Sequence, residues 1–331
     1  MPKVVLMEDY ADHARTLPCV QDLARRAELS IITHKAQSED EIVERLRDAQ
    51  IAITIRDRVM FSASVLGRLP GLKLLSVCGP RLAPHVDLDA ATRMGILVAA
   101  PKPADVPLTI HRATSEMAWA LILGLFKGLV THHNGMREGG WQSGLGLGLA
   151  GKTLGIIGLG KIGSVTAQIG VAMGMRVLAW SPRLTAERAR GSGAEAAGFD
   201  ELLSASDVVS VHANVTPESI GLLGEAAFAK MRPGAFLVNT ARAALTDEQA
   251  LRKALQTGRI AGAGLDVFWE EPLPRDHWLR SQPNVLLQPH LAGFTDEGFE
   301  WLIAPAVANV MAYLDGRPQD IANAQLLARS N

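Results

Sequence analysis

The sequence predicts an α/β protein built around parallel sheets in two domains. Short apolar runs alternate with helix-like segments along nearly the whole chain, as in strands joined by crossover helices. At 331 residues the chain is long enough for two domains with separate cores. A proline-rich stretch at 100–107 interrupts the alternation and predicts a linker between the domains.

The first hundred residues predict a five-stranded unit. Its apolar, partly β-branched runs lie at 4–7, 29–33, 51–55, 73–77 and 96–98. Amphipathic segments at 20–27 and 40–49 predict two of the connecting helices. After the linker we expect one long helix at 113–132, followed by a glycine-rich loop at 135–151.

The second unit repeats this alternation. Strands are predicted at 154–157, 175–180, 208–212, 236–239, 260–267 and 285–288. A helix at 246–257 has Thr246 as its expected N-cap, Gln249 as a capping-box partner and Gly258 as its end. A last helix at 296–314 is expected to return to the first domain. The predicted domains are therefore 1–101 with 291–331, and 102–290, with a cleft between them.

A glycine turn between the strand at 154–157 and a helix at 162–173 carries the first functional signal. It reads Gly158-Leu-Gly160-Lys161-Ile162-Gly163, a G-x-G-x-x-G pattern. The three glycines respectively allow a tight turn, close approach of a phosphate and close helix packing. Because a helix N-terminus offers unpaired N–H groups, the pattern predicts a site for a dinucleotide pyrophosphate.

The residues after the next strand bear on which dinucleotide binds. An NAD site usually has an acidic residue there, to bind the ribose 2′-hydroxyl. This chain instead has Ser181, which carries no charge to repel a 2′-phosphate, and Arg183, which could pair with one. NADP is slightly favoured over NAD. The alternative is that Arg183 points to solvent and Ser181 tolerates NAD.

Composition excludes several other functions. A net charge of −1 argues against nucleic acid as a partner. The longest apolar run, 117–126, has about half the length of a membrane span, and the run at 4–7 is too short for a secretory leader. Cys19 and Cys78 form no C-x-x-C pair and no zinc constellation, so we expect no metal and a reducing, cytoplasmic setting.

Polar residues follow three later strands, where open α/β sheets bind their ligands. They are Arg242 in Leu237–Arg242, Glu271 before Pro272, and His290 after Pro289. Each is unremarkable by itself, since a single arginine or histidine at such a place is more often structural. They become a candidate site only together, because their order and the sequence around them resemble a known family.

Four motifs in this order resemble the D-isomer-specific 2-hydroxyacid dehydrogenase family, which includes phosphoglycerate, glycerate, hydroxypyruvate/glyoxylate and D-lactate dehydrogenases. The resemblance runs from about residue 72 to residue 313. The motifs are Gly158-Leu-Gly-Lys-Ile-Gly163, Val238-Asn-Thr-Ala-Arg242, Leu265-Asp-Val-Phe-Trp-Glu-Glu-Pro272 and Pro289-His290. The resemblance implies a flavodoxin-like substrate domain and a Rossmann domain that binds NAD(P).

The resemblance also implies roles that agree with the chemistry of reducing a 2-oxo acid. Arg242 would anchor the substrate carboxylate, because its planar fork matches carboxylate geometry. His290 would be the general acid in reduction and the base in oxidation. Glu271 would hydrogen-bond the imidazole and fix its orientation.

Further cofactor contacts follow from the resemblance alone. Asp266 would hold the nicotinamide carboxamide, with Thr240 and Ala241 lining the same end. His212 lies where the family's chain passes beneath the cofactor, and we interpret it as structural rather than catalytic.

The substrate loop departs from the family pattern. The family binds the carboxylate with backbone N–H groups, here expected from Gly79, but the loop 79–87 is about three residues longer. Pro80 removes one donor, and Arg81 either replaces it with a charge or is simply exposed. Ala243-Ala244 and Asn214 replace a usual glycine and proline. The departures affect substrate identity more than reaction type.

We therefore expect an NAD(P)-dependent oxidoreductase of small 2-oxo and 2-hydroxy acids, of glyoxylate or hydroxypyruvate reductase type, acting as a homodimer. Trp141 would either reach the cleft of a neighbouring subunit or pack against its own loop and stabilise it. The alternative function is a dinucleotide-sensing, corepressor-like regulator of the same fold. A formate-oxidising branch is disfavoured, since it typically has Gln in place of Glu271.

Overall fold

The computed structural model describes residues 1–56, 58–79, 82, 85–101 and 108–329. The chain divides into two compact units, and it passes between them twice. Unit 1 comprises 1–107 and 296–331, and unit 2 comprises 108–295. Each contains a parallel sheet with helices, so the predicted α/β class with two parallel sheets is confirmed.

Unit 1 contains a five-stranded parallel sheet in the order β2-β1-β3-β4-β5, which is the flavodoxin-like order. All five predicted strands form, with ends shifted by at most two residues, because each run is mainly apolar; β3 and β4 are fully buried. The strands are β1 (Lys3–Met7), β2 (Glu28–Ile31), β3 (Ile51–Ile55), β4 (Leu74–Cys78) and β5 (Leu97–Ala99).

The helices of unit 1 cover this sheet. Ser76 on β4 donates a hydrogen bond to the carbonyl of Ala306 at 2.9 Å, so the last helix is tied to the sheet as predicted. Proline at 305 does not end that helix, which covers 296–314 as expected. The helices are α1 (Pro18–Ala24), α2 (Glu39–Leu46), α3 (Ala63–Gly67), α4 (Leu88–Arg93) and α12 (Asp296–Leu314).

Unit 2 contains a seven-stranded parallel sheet in the order β12-β11-β10-β9-β6-β7-β8. Six of its strands were predicted, and the two-residue β8 was too short to show a pattern. The strands are β6 (Thr153–Ile157), β7 (Arg176–Trp180), β8 (Glu195–Ala196), β9 (Val208–Val211), β10 (Phe236–Asn239), β11 (Gly262–Leu265) and β12 (Val285–Leu287).

Strands β6 and β9 lie side by side, although two strands and their helices separate them in sequence. The chain builds outward from β6 to β8, returns to β9 and then builds the other way to β12. The boundary between β6 and β9 is therefore the point where strand order reverses. In open α/β sheets ligands bind at the carboxyl ends of the strands at such a point.

Helices cover the sheet of unit 2. The helix Lys161–Ala172 begins within the glycine turn, and the helix Glu248–Gln256 follows β10. The helices are α5 (Leu108–Lys127), α6 (Leu129–Arg137), α7 (Lys161–Ala172), α8 (Ala186–Arg190), α9 (Phe199–Ala205), α10 (Glu225–Lys230) and α11 (Glu248–Gln256).

The long helix predicted at 113–132 is wrong as a single element. It is two helices, α5 and α6, which meet at Gly128 with a bend of 61°. Gly128 has a φ of +58°, a conformation that suits glycine and ends α5. Side chains of α5 such as Trp119 and Phe126 lie in the core, whereas no residue of α6 is buried.

The predicted cap of α11 is also corrected. The helix begins one residue later than a Thr246 cap requires, and Asp247 is its N-cap, accepting a 2.8 Å hydrogen bond from Ala250 N–H. Thr246 is buried instead, and its hydroxyl accepts from the side-chain amide of Asn239. The aspartate provides a charged acceptor, which favours it at the cap.

Two further observations bear on the composition-based expectations. Cys19 and Cys78 are both free thiols. In the described chain no single helix has the length and hydropathy to cross a bilayer, and only the bent pair α5 and α6 reaches those values together.

Candidate active site

The carboxyl edge of the unit 2 sheet collects the residues singled out in its sequence. Glu271 lies six residues after the end of β11. The following nine lie within three residues of the end of a strand, because the chain leaves the parallel strands at that edge and enters loops. The residues are Gly158 after β6, Ser181 and Arg183 after β7, His212 after β9, Thr240, Ala241 and Arg242 after β10, Asp266 after β11 and His290 after β12.

The glycine turn requires its first and third glycines for steric reasons. Gly158 has a φ of +98°, and a Cβ there would lie 2.5 Å from the backbone nitrogen of Ala213. A Cβ at Gly163 would lie 2.2 Å from the carbonyl oxygen of Gly158. The turn therefore packs against the residues after β9 and against its own helix.

The second glycine faces open space. A Cβ at Gly160 would meet no atom within 4 Å. Gly160 is the N-cap of α7 and has no side chain to occupy the first N–H groups of the helix, which begins at Lys161 and Ile162. This arrangement leaves a helix N-terminus with room beside it, as a pyrophosphate requires.

The segment after β7 contains no carboxylate at 181–186. The Ser181 hydroxyl accepts a 3.0 Å hydrogen bond from Leu159 N–H, so it holds the glycine turn. Arg183 is exposed two residues further on. The acidic residue that commonly binds a ribose 2′-hydroxyl is therefore replaced by a hydroxyl and a nearby positive charge.

His212 follows β9 at the point where strand order reverses. Its Nε2 lies 2.9 Å from the Ser210 hydroxyl, and its backbone N–H donates to Ile157 on β6. Burial lowers the pKa of the imidazole to about 4, so it is neutral near pH 7. These contacts agree with the structural interpretation of His212.

The loop after β10 presents Arg242. Asn239 shapes this loop, because its Oδ1 accepts from Ala241 N–H at 2.9 Å and its Nδ2 donates to the Arg242 carbonyl at 3.0 Å. The Arg242 guanidinium donates through Nη1 to the Ala241 carbonyl at 2.7 Å. Thr240 is 6% exposed, and its hydroxyl has no hydrogen-bond partner among the described residues.

Glu271 and His290 form a pair. Glu271 Oε2 lies 2.6 Å from His290 Nδ1, while the other carboxylate oxygen accepts from Phe268 N–H at 2.9 Å. Both side chains are partly buried. Because the carboxylate accepts the Nδ1 hydrogen, Nε2 is the ring atom left for proton exchange.

Asp266 holds the backbone beside that histidine, a role that sequence reasoning missed. Its two carboxylate oxygens accept from Leu291 N–H at 2.8 Å and Ala292 N–H at 2.9 Å. His290 itself has a φ of +56°, which costs a non-glycine residue roughly 1–3 kcal/mol. Burial raises the Asp266 pKa to about 6, although the two N–H donors oppose the rise. The carboxylate therefore stabilises the strained segment that presents the imidazole.

Two expected substrate contacts belong to unit 1. Gly79 follows β4 with a φ of +114°, which suits glycine, and it lies at the carboxyl edge of that sheet. Arg81 and Pro80 lie outside the described residues. The described part of the chain holds no cluster of three or more His, Cys, Asp or Glu side chains placed to bind a metal ion.

The residues of unit 2 can together support a redox reaction of an acid. The edge of one sheet carries a dinucleotide-type glycine turn, an arginine fork and a carboxylate–imidazole pair. The open space at Gly160 and the unpartnered buried hydroxyl of Thr240 fit a nicotinamide dinucleotide, which needs phosphate donors at one end and polar partners at the other. The fold and site define a nicotinamide-nucleotide-dependent oxidoreductase.

Comparison with known proteins agrees with this class. The sequence pattern described as D-isomer specific 2-hydroxyacid dehydrogenase, NAD binding domain, matches residues 119–292, over half of the chain. A glyoxylate reductase from Aeropyrum pernix is 36% identical over 297 residues, which cover 86% of both chains. A D-3-phosphoglycerate dehydrogenase from Archaeoglobus fulgidus is 35% identical over 89% of this chain, which spans only 54% of that longer protein.

A solved structure agrees in fold. The phosphoglycerate oxidoreductase of Vibrio cholerae superposes with a TM-score of 0.87 at 31% identity, covering 96% of this chain and all of the other. The chain belongs to the D-isomer specific 2-hydroxyacid dehydrogenase family. It is thus a nicotinamide-dependent oxidoreductase of hydroxy acids, and the resemblance inferred from its motifs is confirmed.

Proposed function

We propose that the protein reduces a small 2-oxo acid of the glyoxylate or hydroxypyruvate type to the D-2-hydroxy acid. The observation that carries the proposal is the Glu271–His290 pair, 2.6 Å apart at the same sheet edge as Arg242 and the glycine turn. The glyoxylate reductase among the relatives supports the choice of substrate class.

The chain's own residues account for the acid–base part of this reaction. When bound, the reduced nicotinamide supplies the hydride. Arg242 binds the substrate carboxylate and polarises the carbonyl, while its Nη1 stays anchored on Ala241. His290 donates the proton from Nε2 to the developing alkoxide, and Glu271 stabilises the imidazolium before that transfer. In oxidation His290 accepts the hydroxyl proton.

Residues along the same sheet edge would bind the two ends of the cofactor. Gly158, Gly160 and Gly163 with the N–H groups of Lys161 and Ile162 would hold the pyrophosphate. Thr240, Ala241 and Asp266 would hold the nicotinamide end, since each Asp266 oxygen keeps a lone pair after its backbone bond.

We propose NADPH as the slightly preferred cofactor over NADH. Ser181 replaces the usual carboxylate, so no negative charge at that position repels a 2′-phosphate. Arg183 is exposed beside it and offers a pairing charge. NADH would bind through the same glycine turn.

The other unit would complete the acid-binding site. We propose that 1–101 with 291–331 acts as the substrate domain and 102–290 as the dinucleotide domain, and that Gly79 and Arg81 contact the acid.

We also propose a homodimer that forms through α6 and the loop after it. Every residue of α6 is at least partly exposed, and Trp141 and Leu145 in the loop are 74% and 98% exposed. Exposed apolar side chains in one segment of the chain favour an interface there. Sedimentation velocity should give the mass of two chains, and Leu129→Glu on α6 should shift it to one; a monomeric parent protein would contradict this.

A substrate panel tests the function. Oxidation of NADH and NADPH is followed with glyoxylate, hydroxypyruvate, pyruvate and phenylpyruvate. Turnover with one of the small acids is the expected result. Tight dinucleotide binding without turnover of any of these acids would contradict it and favour the dinucleotide-sensing regulator.

A further inference from the structure

Leu159 is the middle residue of the glycine turn, and both polar groups of its backbone are bound by side chains from outside the turn. Its N–H donates to Ser181 Oγ at 3.0 Å, and its carbonyl accepts from Arg188 Nη2 at 3.1 Å. Its own side chain is 2% exposed. The residue is therefore fixed from three directions.

The peptide that links Leu159 to Gly160 is held at both ends. Its carbonyl accepts from Arg188, and its N–H donates to the Gly158 carbonyl at 2.9 Å. A peptide group is planar, so binding its oxygen and its nitrogen fixes its orientation. This peptide leads into Gly160, the N-cap of α7, and its orientation limits the direction in which the first N–H groups of that helix face.

The backbone of Arg188 is held by hydrogen bonding and by its neighbour's packing. It lies in α8, where its backbone N–H donates to the Thr185 hydroxyl at 3.2 Å. The next residue, Ala189, is fully buried and belongs to the same hydrophobic core as Leu159. The guanidinium therefore extends from a short helix that is anchored in the core by Ala189.

We propose that Arg188 is a positioning residue of the dinucleotide site, acting through the carbonyl of Leu159. It holds the glycine turn in the geometry that presents the N–H groups of α7 to a pyrophosphate. The inference rests on the proposed function in one respect, namely that a nicotinamide dinucleotide binds at this turn. The sequence motif did not include Arg188, which lies 25 residues beyond Gly163.

The proposal makes a distinctive prediction about the two cofactors. The pyrophosphate is common to NADH and NADPH, so losing Arg188 must weaken both by the same factor. A residue that contacts the 2′-phosphate, as proposed for Arg183, would affect NADPH alone. Equal loss therefore separates positioning of the turn from recognition of the phosphate.

The test compares Arg188→Ala and Arg188→Lys with Arg190→Ala, a control that removes an exposed arginine from the same helix. Dissociation constants for NADH and NADPH are measured by titration calorimetry, with the unfolding temperature of each dinucleotide-free variant. We expect Arg188→Ala to weaken both dinucleotides about tenfold, since hydrogen bonds to charged groups are among the stronger ones. Lysine should restore part of the affinity, because its ammonium can donate to the same carbonyl, and Arg190→Ala should match the parent.

Kinetics provide a second readout that a loss of folding would not mimic. With saturating dinucleotide, Arg188→Ala should keep the parent kcat while its KM for dinucleotide rises. Unchanged dissociation constants would overturn the proposal, and so would a loss confined to NADPH. If the parent protein bound neither dinucleotide, the proposed function would fail instead, which is a separate result.

Discussion

Glu271 Oε2 lies 2.6 Å from Nδ1 of His290, and the same carboxylate accepts Phe268 N–H through its other oxygen. The glutamate is therefore held by backbone while it orients the imidazole. Asp266 holds the two residues that follow His290. Two carboxylates thus fix the position of His290: Glu271 binds its ring, and Asp266 binds the backbone that follows it.

Replacing the orienting carboxylate should slow the chemical step. Glu271→Gln keeps the size of the side chain but removes the charge that stabilises the imidazolium. We expect kcat to fall about 10- to 100-fold with little change in the dissociation constant for dinucleotide, because a hydrogen bond to a charged group is worth about 1.5–3 kcal/mol. Steady-state kinetics of Glu271→Gln are compared with those of Glu270→Gln, a control that changes the adjacent glutamate. A parent-like kcat for Glu271→Gln would remove the orienting role.

The shape of the arginine fork should matter as well as its charge. Arg242→Lys keeps the positive charge but cannot bind a carboxylate with two parallel hydrogen bonds. We expect kcat/KM for the best 2-oxo acid to fall about tenfold or more. Arg190→Lys, at an exposed position on α8, serves as the matched change. Equal kinetics for the parent and Arg242→Lys would show that the fork does not bind the acid.

The choice between cofactors should depend on Arg183. Arg183→Ala removes the exposed charge after β7 and should weaken NADPH about tenfold while leaving NADH unchanged. The dissociation constants of the two reduced dinucleotides are the measurement. If NADPH affinity is untouched, the 2′-phosphate contact at Arg183 is wrong.

His212 should contribute a pH-dependent part of stability. Its pKa is about 4 in the folded chain against 6.5 for an ordinary histidine, because burial disfavours the charged form. On acidification the unfolded chain binds a proton at this histidine before the folded chain does. The stability that this histidine contributes above pH 6.5 is therefore lost as the pH falls towards 4. Between pH 7 and pH 5 this amounts to about 2 kcal/mol.

Urea unfolding at pH 7 and pH 5 measures that contribution. His212→Gln should lose less stability than the parent on acidification, by up to the amount above. His133→Gln, at an exposed histidine of α6, should lose as much as the parent. The same acid loss in the His212 variant as in the parent would show that the imidazole of His212 is not held neutral in the folded chain.

The sheets could be predicted from sequence because their strands are apolar runs bounded by polar residues. The strands β3 and β10 form with the predicted ends. The break at Gly128 could not be read from hydrophobic periodicity, since a left-handed residue leaves that pattern intact. The short helices α3, α8 and α10 were missed for a related reason, because five or six residues contain too little periodicity.

Part of the site was also predictable. Arg242, Glu271 and His290 were singled out by the resemblance of their motifs to a known family. In the structure Arg242 and His290 follow strands at one sheet edge, and Glu271 contacts His290. Residues that act through backbone groups carry no such signal. Arg188 binds a carbonyl 29 residues away and Asp266 binds two N–H groups about 25 residues away, and both contacts depend on how the loops pack.

The central claim is that His290 passes a proton during reduction of a 2-oxo acid. The most direct measurement compares the parent with His290→Gln, with dinucleotide binding and kcat/KM for glyoxylate and hydroxypyruvate measured on the same preparations. We expect the variant to bind dinucleotide like the parent and to lose about 10²–10⁴-fold in kcat/KM. Full turnover by His290→Gln would contradict the account.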